Sequence, residues 1–375
     1  GATVQGSDGT PTITTNLAPP SVPNVDWKPV GTQVGGKSAA FLGEADDGQV
    51  ALLWLNPDLL KFRFVPGYDS PGDGPRTTED KDSATWVPDM IAAFNGGFLL
   101  KDGAGGYYYN GETVRDLEDG YGSVKVARDG HLTVGSYGRD IKVDADTAAI
   151  RQNLKPLIDN GTSQASEDDS PRRWGIADGN ASHAKRSAVG QLADGAIVFA
   201  YGNNVTAANL ADAMVAAGVK QAVALDMNLT WPTGYYYTRE DGQVVGHRIH
   251  PEIMREPSTY LDSFKKDFFV ADSALVRRHH HRSPNTGTPI NDFFLLLSFG
   301  FRLSGIFFRH VLVRRADHFG IHFMARRAAF AGHQCVWVGF SHGWRSSRRF
   351  SRWSRSWCWC RRCWCWRRRG SRCRS

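Results

Sequence analysis

The chain has 375 residues, enough for one large domain or two ordinary ones. Its net charge of +7 is unevenly distributed: residues 277–375 hold 21 Arg, no Lys and two acids, Asp292 and Asp317, a balance of +19 that leaves −12 for residues 1–276. The larger, acidic part excludes reading the overall basicity as a nucleic-acid signature, so no nucleic-acid partner is expected.

Cysteine is partitioned in the same way. All six (Cys335, Cys358, Cys360, Cys363, Cys365 and Cys373) lie in the basic part. A Cys-free domain suits an oxidising exterior, which points to an extracellular or cell-envelope location. Gly1 opens a Thr/Pro/Gly-rich stretch with no basic start or apolar run, as expected of a processed N-terminus, and a membrane tether through an absent N-terminal segment is compatible with it.

Residues 1–25, with Pro11, Pro19, Pro20 and Pro23 among Thr, Ser and Asn, read as a disordered linker. A domain over 26–276 then starts near Trp27. Short apolar runs bounded by Gly, Pro and Asp predict strands at 50–55, 61–65, 90–94, 122–126, 131–134 and 196–201. Turn residues Asp129-Gly130 and Asp194-Gly195 predict two antiparallel hairpins. Thr206 is placed to cap a helix over 207–217 that Gly218 stops, and the apolar run 221–225 predicts a buried strand after it. The expected fold is α+β: a single domain with a mixed, largely antiparallel twisted sheet flanked by helices.

Residues 277–375 differ in kind. Arg replaces Lys completely, His279-His280-His281 precedes aromatic runs, and the end repeats Arg, Trp, Cys and Ser without a core pattern. This is the composition of a GC-rich gene read out of frame, and the segment is expected to be frameshifted or disordered. Its apolar run 293–308 is shorter than the roughly 20 residues of a membrane helix. Its Cys-x-Cys spacings are tighter than those of structural zinc sites.

Three clusters could carry chemistry. In Phe94-Asn95-Gly96-Gly97-Phe98 an apolar strand ends in Asn and two glycines, where backbone amides can approach a ligand and Asn offers donor and acceptor; an ordinary Asn-Gly turn is the alternative. In Lys185-Arg186-Ser187 the Arg186 fork suits a carboxylate or phosphate, or is a solvated strand-end charge. In Leu225-Asp226-Met227-Asn228 a carboxylate ends a buried strand, where open sheets present their sites, or is a structural acceptor. His183 could titrate near neutrality, and Trp231 with Tyr107-Tyr108-Tyr109 and Tyr235-Tyr236-Tyr237 could stack sugar rings, although aromatic strands also serve as packing.

In order and spacing these clusters resemble the phosphodiester glycosidase family. Phe94-Asn95-Gly96-Gly97-Phe98, Arg186-Ser187-Ala188-Val189-Gly190 and the helix and Leu-Asp strand from Leu210 to Asp226 match its motifs. The chain looks closest to exported actinobacterial members over about residues 26–272, including Arg151-Gln152-Asn153 and Lys266-Asp267-Phe268-Phe269-Val270. Where the glycosidases usually continue Leu-Asp with Gly-Gly-Gly-Ser, this chain has Met227-Asn228-Leu229-Thr230.

The resemblance implies a hydrolase acting on a sugar-1-phosphodiester or related cell-envelope glycan. Arg186 and the amides of Gly96 and Gly97 would stabilise phosphate charge, Asp226 would act as base or nucleophile or ligate a divalent cation, and Asn95 and Asn228 would orient sugar hydroxyls. No other cofactor is expected. A second carboxylate is open among Asp102, Glu112 and Asp116. The competing reading, from the changed turn after Asp226, is a non-catalytic exported glycan-binding module.

Overall fold

The computed structural model describes residues 15–275 apart from 24, 72–74, 103–104, 171, 178 and 180, together with the backbone of strand segments 3–5, 11–13, 321–330, 333–342, 353–360 and 363–366. Gly1–Pro284 and Asn285–Ser375 are two compact units.

In the first unit, β1 (Thr3–Gln5) and β2 (Pro11–Ile13) pair with each other. The central strands follow in order: β3 (Lys28–Val30), β4 (Ala40–Ala45), β5 (Val50–Leu55), β6 (Leu60–Val65), β7 (Met90–Asn95), β8 (Tyr107–Tyr109), β9 (Glu112–Arg115), β10 (Gly122–Ala127), β11 (Leu132–Ser136) and β12 (Thr147–Gln152). Then come β13 (Ile158–Asp159), β14 (Thr162–Ser163), β15 (Ala184–Leu192), β16 (Ile197–Val205), helix α1 (Ala207–Ala216), β17 (Val219–Met227), β18 (Gly234–Glu240), β19 (Gln243–Arg248) and β20 (Phe268–Ser273).

These strands build three sheets. An eight-stranded sheet runs β14-β13-β17-β15-β16-β5-β4-β3, and two five-stranded sheets run β19-β18-β7-β20-β6 and β11-β10-β12-β8-β9. The eight-stranded sheet is buried on both faces, which is why its strands read as continuous apolar runs. Along β5, Ala51, Leu53 and Leu55 enter the core shared with the five-stranded sheets, while Val50, Leu52 and Trp54 enter a second core under α1. Phe94 of β7 stacks on Phe199 at 4.8 Å and on Phe269 at 5.3 Å, joining the two sheets that carry the candidate residues.

The fold is mainly β rather than α+β flanked by helices: α1 is the one α-helix among the described residues. The expected mixed sheet is also corrected. Chain order β16-α1-β17 predicts parallel neighbours, but β15 lies between them and pairs antiparallel with both. Every strand ladder among the described residues is antiparallel, whether a hairpin joins the two strands, as in β10–β11, or they lie far apart in the chain, as in β7–β20.

Both predicted hairpins form, β10–β11 and β15–β16, the second turning at Gly195, whose φ of 90° favours glycine. The predicted cap forms as well: Thr206 Oγ1 accepts from Asn209 N at 3.0 Å, and the Asn209 side chain accepts from Thr206 N at 3.1 Å. Thr206→Ala should cost about 1 kcal/mol of stability in urea unfolding, and a cost near zero would show that packing alone fixes the helix start.

Of residues 1–25, expected to be a linker, 15–23 and Val25 run against the domain. Asn56 Nδ2 donates to Leu17 O at 3.3 Å, Trp27 Nε1 donates to Pro20 O at 3.0 Å, and Leu17 and Val25 pack on the second core. In the second unit β21 (Ile321–Phe330), β22 (His333–His342), β23 (Trp353–Cys360) and β24 (Cys363–Trp366) form an antiparallel sheet in chain order. His279-His280-His281 and the apolar run 293–308 lie outside the described residues. Among the described residues no helix is long and apolar enough to cross a membrane.

Candidate functional site

The ends of β7, β15 and β17 meet, and the segment entering β20 closes over them. Asp226, near the end of β17, is 5% exposed. Its Oδ1 accepts from Met227 N at 2.8 Å and its Oδ2 is paired with the Lys266 ammonium, itself buried at 7% exposure. Burial pushes the Asp226 carboxyl up to about 6, opposed by Lys266 and the Met227 amide and reinforced by the Asp267 carboxylate.

Asn95 ends β7 and uses its whole amide. Nδ2 donates to Ser187 Oγ at 2.9 Å and to Gly96 O at 2.8 Å, while Oδ1 accepts from Thr233 N at 2.9 Å. Ser187 Oγ in turn donates to Asp226 O at 2.9 Å. Asn95 therefore ties the three strand ends together, and its amide is committed to protein rather than to sugar hydroxyls.

The Gly96-Gly97 turn is also committed inward. Gly96 N donates to Asp267 O at 2.9 Å and Gly97 N to Asp267 Oδ2 at 3.4 Å, so amides expected to face a phosphate face Asp267. A Cβ on Gly96 would collide with the Asp267 carboxylate, which explains the glycine. Asp267 Oδ2 is held by Arg151 Nε at 3.1 Å, with the two side chains 0% and 1% exposed. Arg151 also donates to Gln152 O at 2.6 Å and to Phe98 O. Asn153 completes the clamp, accepting from Phe98 N at 3.1 Å and donating to Leu225 O at 2.8 Å.

Arg186 is 5% exposed and lines a cavity of about 10 Å³, room for no more than a water, together with Asp226, Phe98, Trp174 and Met227. It is not a solvated strand-end charge. Its Nε donates to Val205 O at 3.2 Å, Nη1 to Trp174 O at 2.9 Å and Nη2 to Ser182 O at 3.2 Å. These carbonyls take three of its five N–H groups, and among the described residues it has no ion pair. Burial draws its pKa down from the ordinary value.

His183 and Asn228 lie elsewhere. Both line a neighbouring cavity with Lys185, Asn203 and Asn204, where His183 is exposed and Asn228 Nδ2 donates to Ile176 O at 3.2 Å. Trp231 is half-buried beside Lys266, whose Nζ stands 4.4 Å from the ring centroid. The two tyrosine runs pack as alternating strand residues, with Tyr107, Tyr235 and Tyr237 buried in the core.

The carboxylate whose charge acts on Asp226 is that of Asp267, which is committed to Arg151 and Gly97 N. Glu112 and Asp116 are exposed, and the Asp102 side chain lies outside the described residues. Among the described residues no group of three or more His, Cys, Asp or Glu could hold a metal, and Asp226 meets an ammonium instead. Lys266, Asp267, Arg151 and Asn153 had no role in the sequence reading, although all four sit in segments that carry the family resemblance.

A phosphodiester glycosidase family model matches residues 88–226, a span that runs from just before β7 to Asp226. Among solved structures, the chain is similar to the catalytic domain of zebrafish N-acetylglucosamine-1-phosphodiester alpha-N-acetylglucosaminidase, with 14% identity, a TM-score of 0.41 and coverage of 70% of this chain and 86% of that one. It is also similar to a hypothetical protein from Synechocystis (11% identity, TM-score 0.32, coverage 67% and 62%). A third similar structure is a Burkholderia pseudomallei protein described as exported (14% identity, TM-score 0.33, coverage 64% and 75%). No curated protein matches the chain.

Proposed function

We propose that residues 26–276 hydrolyse a phosphodiester-linked sugar, with Asp226 as general base. The observation that carries this reading is that Asp226, raised to about 6, shares a cavity with the buried Arg186 and ends the segment matched by the phosphodiester glycosidase model. Asp226 takes a proton from water as the water oxygen bonds to the anomeric carbon. The bond from that carbon to the phosphate oxygen breaks, and its electron pair leaves with the phosphate ester.

A phosphate ester is a far weaker base than a sugar alkoxide, so its departure needs no general acid. One titrating carboxylate is then sufficient, and Asp267 is free to serve the Arg151 clamp rather than the chemistry. As Asp226 takes up the proton, Lys266 loses its counter-charge and, with Arg186, offsets the negative charge of the departing phosphate, and Asn95 positions the strand ends. The Cys-free domain supports work outside the cytoplasm, on an extracellular or cell-envelope substrate.

The full chain and its Asp226→Asn variant should be assayed on a panel of chromogenic sugar-1-phosphodiesters. Turnover by the wild type that falls by about 100-fold or more in the variant is the expected result. Retention of an envelope glycan with no release of product by either protein would favour the glycan-binding reading.

A further inference from the structure

We infer, resting on the hydrolytic reading above, that the surface around Trp231, joined to Asp226 through Lys266, takes a phosphodiester whose leaving group carries a second negative charge, held by Lys265 and Arg255. Three cations converge on that one ring: Lys266 Nζ at 4.4 Å from its centroid, Lys265 Nζ at 4.8 Å and Arg255 Cζ at 4.8 Å. Any two of them are therefore separated by no more than twice the longer distance. Like charges this close repel, and the ring's negative face offsets only part of that repulsion.

Lys266 is neutralised by Asp226, but among the described residues neither Lys265 nor Arg255 forms an ion pair. The cluster thus presents two unbalanced positive charges next to a balanced buried pair. A singly charged phosphodiester would neutralise one of them; a leaving group with a further anion neutralises both.

Burial is graded in the direction such a ligand would enter. Lys266 is buried, whereas Lys265, Arg255 and Trp231 are half-buried, where bulk salt screens less than on an open surface. Arg255 is pre-oriented, since its Nε donates to Thr230 O at 2.7 Å and its Cζ lies 5.2 Å from the Phe264 ring centroid. An oriented guanidinium and a flexible ammonium beside it suit two anionic groups on one chain, as in a repeating phosphodiester.

Calorimetric titration of the full chain with inorganic pyrophosphate and with dimethyl phosphate tests this, alongside a folded Lys265→Gln/Arg255→Gln variant checked by circular dichroism. The wild type should bind pyrophosphate about tenfold or more tightly than dimethyl phosphate at low salt, the variant should lose that preference, and high salt should only weaken it in the wild type. Equal affinity for the two anions, or a preference unchanged in the variant, overturns the proposal. Because this readout needs no turnover, the preference and its loss in a protein without hydrolysis would support the two-anion subsite and defeat only the hydrolytic reading. Turnover without the preference would do the reverse.

Discussion

Lys266→Met should lower turnover of a phosphodiester-linked sugar by about 100- to 1000-fold at neutral pH, the range seen when one preorganised electrostatic partner is removed. It should also move the acid limb of the pH–activity profile upward from about 6. The direction follows from the balance at Asp226. Burial raises the carboxyl, and Lys266 is the main influence holding it down, so removing the ammonium raises it further. The base is then protonated at a pH where the wild type is active, and raising the pH should recover part of the loss.

Stability moves with the same sign. Between the ordinary carboxyl value and the raised native value, the folded state binds more protons than the unfolded state at Asp226, so this group's contribution to stability falls as pH rises through that window. In Lys266→Met the window widens upward, and the variant should gain more stability than the wild type on acidification from neutrality towards pH 5. Lys266→Arg, which retains the charge, should keep the wild-type position of the acid limb. A Lys266→Met profile with lowered amplitude and an unmoved limb would show that Lys266 acts on substrate alone and does not tune Asp226.

The sequence made the hairpins, the α1 cap and the strand runs legible because each is specified locally, by turn residues, a capping pair or a short apolar run between turn residues. It misled on sheet type because strand-helix-strand order does not reveal a third strand between the two, and β15 takes that place. The strand ends carrying Asn95, Arg186 and Asp226 were visible as polar residues bounding apolar runs, Asn95 and Asp226 closing theirs and Arg186 opening its own. Their partners were not. Lys266 is 40 residues from Asp226, and Asp267 is 116 residues from Arg151, with no local periodicity linking either pair. Lys265-Lys266-Asp267 before an apolar strand looks like an ordinary solvated strand entrance until β20 inserts between β7 and β6 and carries it inward. The signal that could have found it was the family-like Lys-Asp-Phe-Phe-Val ending, which places two charges against a fully apolar strand.

The buried Arg151–Asp267 pair leads to the largest expected effect on stability. Asp267→Asn or Arg151→Met should each cost about 3–5 kcal/mol in urea unfolding, because each leaves one charge buried without its counter-ion. For Asp267→Asn the loss spreads, since the same carboxylate oxygen that meets Arg151 also receives Gly97 N. The pair's net worth is a separate quantity from the cost of breaking it. Among the described residues Asp267 Oδ1 has no hydrogen-bond partner, so the pair is desolvated without being fully satisfied, and an apolar replacement of similar volume should recover much of the loss. Arg151→Met/Asp267→Leu should therefore be more stable than the sum of Arg151→Met and Asp267→Leu taken singly by about 1–3 kcal/mol in a double-mutant cycle. The same double variant should still lose activity, because the Gly96-Gly97 turn then lacks its anchor and the end of β7 beside Asp226 is no longer fixed. Additive losses in the cycle would mean that the two charges are stabilised independently by the backbone, whereas full activity in the double variant would remove the clamp from any account of how Asp226 is positioned.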